Sequence, residues 1–242
     1  MSEAQRRAAY AVQLGQEGKL SAAIRELTAA LELDPLDAGI WHNLGFARYL
    51  SNDRPGAVHA FTQAVTVDAT FMKSWHMRGR CYAAAADHER ALSDLSRALD
   101  LEPGNADVLI DRGGVLLKLM ELAKAREDLT EAVRVAPQHP IAWSMRGLVL
   151  AHLGRLEEAL ADYTRSLELD PKNTHTLNNR AVSHESLRNY ALAVEDYTSA
   201  IELDQRNPKL FENRANCLEA LGEARRARDD RRRAKRLRSK SN

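Results

Sequence analysis

Cysteine, proline, glycine and aromatic residues are all scarce in this chain, and each shortage removes a class of architecture. The 242 residues hold two cysteines, Cys81 and Cys217, too few for a disulfide framework, and neither sits in a metal-type cluster. Aromatics make up 5% of the chain while Ala, Leu, Arg and Glu dominate, a balance that favours helix over strand. No run approaches the eighteen apolar residues that a membrane span needs, so no membrane insertion is expected. The opening MSEAQRRAAYAVQ lacks the apolar stretch and cleavage site of a secretory signal, which makes the cytoplasm or nucleus the expected location. A dominant charge sign is missing too, at a net +1. What remains is 44% hydrophobic and 29% charged residues, enough apolar material for a substantial core and too much for a disordered chain.

A period of 34 residues runs through the sequence without insertion or deletion. Units begin at Ala4, Ala38, Met72, Ala106, Pro140, Thr174 and Pro208. The twentieth place is always alanine (Ala23, Ala57, Ala91, Ala125, Ala159, Ala193, Ala227). The eighth is always Gly or Ala, and the twenty-seventh is alanine six times and serine once, at Ser166. All three tryptophans, Trp41, Trp75 and Trp143, occupy the fourth place, and Pro35, Pro103, Pro137 and Pro171 occupy the thirty-second. Places four, seven, eight and eleven share one face of a helix, and twenty, twenty-four, twenty-seven and twenty-eight share one face of a second. Small residues then let helix backbones approach, and large ones such as Trp41, Phe61, Tyr82, Trp143, Tyr163 and Tyr197 fill the gaps between. A single hairpin cannot bury both of its faces, so stability must accrue along a stack.

These residues resemble the tetratricopeptide repeat family, whose pattern is W-x₂-L-G-x₂-Y followed by A-x₃-F, A and P. The clearest copies are WHNLGFARYL with AVHAFTQAV, and WSMRGLVLAHLG with ALADYTRSLELDP. The resemblance covers nearly the whole chain: repeats at 4–37, 38–71, 72–105, 106–139, 140–173 and 174–207, then a degenerate seventh at 208–238. It implies an all-α fold, a right-handed superhelical α-solenoid of antiparallel helix pairs whose first helices line a concave groove. It also implies a scaffold or adaptor for one or more partner proteins, with no small-molecule substrate and no cofactor. Such proteins serve in chaperone complexes, ciliary and flagellar assemblies, organelle import and bacterial regulation, and nothing in the sequence chooses among them. A cytoplasmic location is expected, with a ciliary, flagellar or nuclear one as the alternatives.

In that geometry the second, fifth, sixth, ninth, twelfth and thirteenth places face the groove. Its middle is then apolar, with Met77, Ile110, Leu117, Ile141, Met145 and Leu148, and Asn43, Asn178, Asn179 and Asn213 flank it. Asparagine amides both donate to and accept from a peptide backbone, which suits an extended segment with apolar side chains. The carboxylate clamp that some co-chaperones use is only partly present. Asn43 and Lys73 match it while Ala8, Val12 and Met77 do not; in a second register Asn179 and Lys209 match while Ser144, Leu148 and Asn213 do not.

Two further patterns concern charge. Five consecutive repeats carry Arg at the seventh place (Arg78, Arg112, Arg146, Arg180, Arg214) and Asp at the twenty-third (Asp94, Asp128, Asp162, Asp196, Asp230). The first two lack the pair, having Tyr10 with Glu26 and Leu44 with Ala60. Joint presence and absence predicts a ladder of partly buried ion pairs inside the hairpins. From Glu223 onward ten Lys or Arg stand against three acids, which leaves the preceding residues mildly acidic. The basic patch Arg228, Arg231, Arg232, Arg233, Lys235 and Arg236 reads first as a solvated cap held by a narrow seam of Ala227, Ala234 and Leu237. Its alternatives are a surface for an acidic partner or nucleic acid, and a nuclear-targeting patch. No phosphate loop, activated nucleophile or converging carboxylate pair is apparent, so no enzymatic activity is expected. His42 and His76 share the fifth place in adjacent repeats, where groove polarity is the expected role and a metal site lacks a third ligand.

Overall fold

The computed structural model describes residues 1–239. Among them are fourteen α-helices and no strand: α1 (Glu3–Gln16), α2 (Leu20–Leu33), α3 (Ala38–Leu50), α4 (Arg54–Val67), α5 (Met72–Ala84), α6 (His88–Leu101), α7 (Ala106–Lys118), α8 (Leu122–Val135), α9 (Pro140–His152), α10 (Leu156–Leu169), α11 (Thr174–Ser186), α12 (Tyr190–Leu203), α13 (Pro208–Ala220) and α14 (Ala224–Arg238). None is long and apolar enough to cross a membrane. The chain divides into two compact units, Met1–Leu119 and Met120–Asn242.

Local chemistry sets the helix starts. Asp37, Asn105, Asn173 and Asn207 each accept a backbone N–H of the following first turn. Pro140 and Pro208 stand at the helix start, where a missing N–H costs nothing. A full capping box between Ser2 and Gln5 starts α1 one residue before the periodic ruler. At the bend inside each hairpin the fifteenth residue always takes a left-handed backbone: Gly18, Asn52, Ala86, Met120, Gly154, Arg188 and Gly222, at φ between 57° and 81°. Glycine adopts this freely, whereas Ala86, Met120 and Arg188 carry a steric cost.

Packing explains the small residues. A Cβ on Gly45 would lie 2.6 Å from the Phe61 ring, and one on Gly147 2.8 Å from the Tyr163 ring. The eighth place must therefore stay small wherever the twenty-fourth carries an aromatic ring. Phe61, Tyr163 and Tyr197 are fully buried. The tryptophans are not core residues of that kind, being only half-buried. Each lies over the preceding loop and donates its indole N–H to a carbonyl there: Trp41 to Pro35 (2.9 Å), Trp75 to Ala69 (3.0 Å) and Trp143 to Pro137 (2.9 Å).

Four rungs of the expected ladder are present, each a forked pair. Arg78 meets Asp94 at 2.7 and 2.8 Å, Arg146 meets Asp162 at 2.7 and 2.7 Å, Arg180 meets Asp196 at 2.8 and 2.6 Å, and Arg214 meets Asp230 at 2.8 and 2.8 Å. Arg112 and Asp128 belong to different units. The same arginines also reach backwards. Arg78, Arg112, Arg180 and Arg214 donate to Thr62, Ser96, Thr164 and Thr198 of the preceding repeat, at 3.0–3.1 Å. One guanidinium thus closes its own hairpin and ties it to the one before. The repeats without the pair solve the problem differently. Glu26 is held by Arg7 at 2.9 Å, and Leu44 and Ala60 are buried in an apolar cluster.

Candidate interaction surface

Within the first unit α1 touches α3, α3 touches α5 and α5 touches α7, whereas second helices make no comparable contact with one another. In the second unit α9 touches α11. First helices therefore lie on the inner side of each stack's curvature.

A cavity of about 410 Å³ opens on that side of the first unit, between α1, α2 and α3. Val12, Leu20, Phe46 and Leu50 give it apolar walls, and Asn43 adds an amide. Val12, Phe46 and Leu50 remain 43%, 44% and 49% exposed, so three of the lining residues leave apolar surface in water. The second unit has a cavity of about 220 Å³ at the same repeat coordinates, four repeats later. There Leu148 stands for Val12, Leu156 for Leu20, Tyr163 for Leu27, Asn179 for Asn43, Val182 for Phe46 and Ser186 for Leu50. The fold thus repeats one pocket twice, the second keeping apolar Leu148, Leu156 and Val182 but with Tyr163 and Ser186 where the first has Leu27 and Leu50.

The residues singled out by sequence divide between these places and the core. Asn43 lines the first cavity; Leu148 and Asn179 line the second. Asn178 donates to Asn179 (3.4 Å) and borders a polar cleft of about 490 Å³ that also includes Lys209. Lys73 is exposed, Ile141 is 47% exposed, and Met145 and Asn213 are half-buried. Met77, Ile110 and Leu117 keep only 8% of their surface each, and Met77 packs with Ala57, Phe61 and Cys81. These three support the fold more than they present a wall. Val12, Phe46 and Leu50 were legible as ninth- and thirteenth-place apolar residues, yet the sequence pattern of the middle repeats draws attention away from them.

The two histidines do not converge. His42 Nδ1 lies 2.9 Å from Ser74 Oγ with its ring against Phe61 and Phe71, and His76 Nε2 lies 2.7 Å from Asp111 Oδ2. Burial, reinforced by Lys73, lowers the His42 pKa to about 4. Among the described residues no group of three or more His, Cys, Asp or Glu is placed to hold a metal ion. Both cysteines are buried free thiols; burial, then Glu185, pushes Cys217 up to about 12, the opposite of what a nucleophile needs.

The basic helix α14 docks by Ala227, Asp230 and Ala234, with Leu237 packed beside them. Much of its charge is answered internally. Arg231 forks onto Glu219, Arg238 meets Glu212 at 2.6 Å, Arg226 meets Glu223 at 2.6 Å, and Arg232 lies 3.8 Å from Asp229. Arg228, Arg233, Lys235 and Arg236 point into solvent.

Three family models match the sequence. Two are described as tetratricopeptide repeat, over residues 76–128 and 110–174 and over 174–207, and one as TPR repeat, over 14–52. No curated protein matches it. Solved structures share the architecture. A tetratricopeptide repeat protein from Parabacteroides merdae ATCC 43184 superposes with a TM-score of 0.76 at 19% identity, over 97% of this chain and 93% of its own. A chain of the APC/C hetero-tetramer Cut9-Hcn1 gives 0.77 at 18% identity, over 94% of this chain and 45% of its own. YrrB, described as a TPR protein with an unusual peptide-binding site, gives 0.61 at 25% identity, over 74% of this chain and 92% of its own.

Proposed function

Since the chain belongs to the tetratricopeptide repeat family, we propose that it is a non-catalytic scaffold that holds an extended peptide or a helix of a partner protein against the first-helix face. The observation that carries this is the cavity of about 410 Å³ walled by Val12, Phe46 and Leu50, with Asn43 at its edge. Its apolar walls favour burial of a partner's side chain at roughly 25 cal/mol per Å² of surface removed from water. The Asn43 amide supplies a backbone hydrogen bond that fixes register. The peptide-binding site ascribed to YrrB lends support by similarity of architecture.

Affinity capture from extract with the full chain, compared with Phe46→Asp, tests the reading. A partner retained by the native chain, lost with Phe46→Asp and kept when Arg228, Arg233, Lys235 and Arg236 become Gln fits it. Loss only in the Gln variant, with binding that collapses steeply as salt rises, would transfer the function to the basic helix and an acidic or nucleic-acid partner. The internal pairing of Arg226, Arg231, Arg232 and Arg238 weakens that alternative.

A further inference from the structure

The twenty-fourth place of the last three repeats carries a hydrogen-bond donor, and two of the three are answered by the twelfth. Tyr197 Oη donates to Glu185 Oε2 at 3.2 Å, and Arg231 Nη2 donates to Glu219 Oε2 at 2.7 Å. Tyr163 occupies the same place in the fifth repeat, where the twelfth residue is Ala151. The Tyr163 side chain is fully buried and its hydroxyl has no partner. Both Tyr163 and Ala151 line the cavity of about 220 Å³ described above. A buried hydroxyl left unmatched costs stability, and the cost is tolerated where something else completes it.

Asn179 adds further donors to the lining. Asn179 Oδ1 already accepts from Asn178, which leaves its amide N–H groups as donors. The Ser183 hydroxyl donates to the Asn179 carbonyl and the Ser186 hydroxyl to the Val182 carbonyl, so their protons are already spent. His152 sits at the rim, and no Asp or Glu is among the lining residues. Burial, with Asp162 nearby, drives the Tyr163 phenol above its ordinary range, so it stays a proton donor at any physiological pH.

We propose that this pocket receives a carboxylate side chain from a partner segment, one oxygen accepting from Tyr163 Oη as Glu185 accepts from Tyr197, the other facing the Asn179 amide. Leu148, Leu156 and Val182 surround the carbon stem of the entering side chain. The proposal rests on the first-helix face being a peptide surface, but it concerns the second unit alone. The pocket is therefore selective by charge, unlike its apolar counterpart in the first unit.

The test uses the full chain and the capped peptide acetyl-Ala-Glu-Ala-amide, with Gln and Leu versions as controls, followed by amide NMR shifts. The Glu peptide is expected to shift Ala151, Asn179 and Ser183 in the millimolar range, and the Gln and Leu peptides to bind at least tenfold more weakly. Tyr163→Phe should abolish the shifts while melting no lower than the native chain, since the hydroxyl it removes has no internal partner. Ala151→Glu should supply the acceptor from within, raise the melting temperature and block the peptide. Equal binding of the Glu and Gln peptides, or unchanged Glu-peptide binding in Tyr163→Phe or Ala151→Glu, would overturn the assignment. A failure here alongside loss of partner capture in Phe46→Asp would leave the scaffold reading standing and remove only this pocket.

Discussion

Replacing Asp162 with alanine removes both bonds from the Arg146 guanidinium and leaves it facing the interior of its hairpin. Asp162 exposes 6% of its side chain and Arg146 21%, so little solvent reaches the pair. Breaking a buried pair from one side costs about 3–5 kcal/mol. The partial exposure of Arg146 and its stacking at 4.9 Å over Trp143 soften that to roughly 2–4 kcal/mol. The second repeat shows what removing both partners achieves, because Leu44 and Ala60 fill the same two places and are buried at 2% and 0% exposure. Arg146→Leu with Asp162→Ala should therefore lie within about 1 kcal/mol of the native chain. The assay is urea unfolding followed by Trp143 fluorescence with Trp41 and Trp75 changed to Phe, which reports on the second unit alone. The single variant should lose about 2–4 kcal/mol of unfolding free energy in that titration, and the double less than about 1 kcal/mol. Additive single losses in the double-mutant cycle, or an Asp162→Ala cost below about 1 kcal/mol, would refute the argument that the ladder is a coupled structural device.

Other consequences follow from separate features. Ala86 sits at φ 57°, so Ala86→Gly should stabilise by about 0.5–1 kcal/mol in denaturant titration, and a loss would show that its methyl group packs usefully. His42 binds its proton near pH 4 in the fold and near 6.5 when unfolded, so the unfolded chain holds more protons between those values. Its contribution is therefore complete above about pH 6.5 and declines as pH falls toward 4, by on the order of 3 kcal/mol in all. Unfolding midpoints between pH 7 and 4.5 should fall more steeply for the native chain than for His42→Gln, and parallel curves would contradict the assignment. Ala159 is fully buried against Leu150 and Tyr163, so Ala159→Arg should cost more than about 3 kcal/mol, and an unchanged melting curve would overturn the packing register.

The sequence was most informative where one place serves the same contact in every repeat. Alanine at the twentieth place and Gly or Ala at the eighth announce close helix approach, and the joint Arg–Asp pattern announces a bond because partners vanish together. Features whose residue type varies were hidden. The left-handed bend is universal, yet Ala86, Met120 and Arg188 give no sign of it, since the hairpin geometry overrides their preference. The backward bonds of the same arginines to Thr62, Thr164 and Thr198 are equally silent, as hydroxyls at helix surfaces are common. Inner-face exposure was the hardest quantity to read. Met77, at the sixth place, was expected to face the groove but packs with Ala57, Phe61 and Cys81. Phe46 and Leu50, at the ninth and thirteenth places, stay open. Tyr163 looked like any other core aromatic until its hydroxyl could be compared with that of Tyr197.

Site-specific photocrosslinking most directly tests whether the first-helix face is where partners are held. A benzophenone amino acid placed at Phe46 or Val182 should capture the partner recovered by affinity, while the same group at exposed Leu192 on a second helix, or at Arg233 on the basic helix, should not. Capture from Arg233 or Leu192 with none from Phe46 and Val182 would contradict the account.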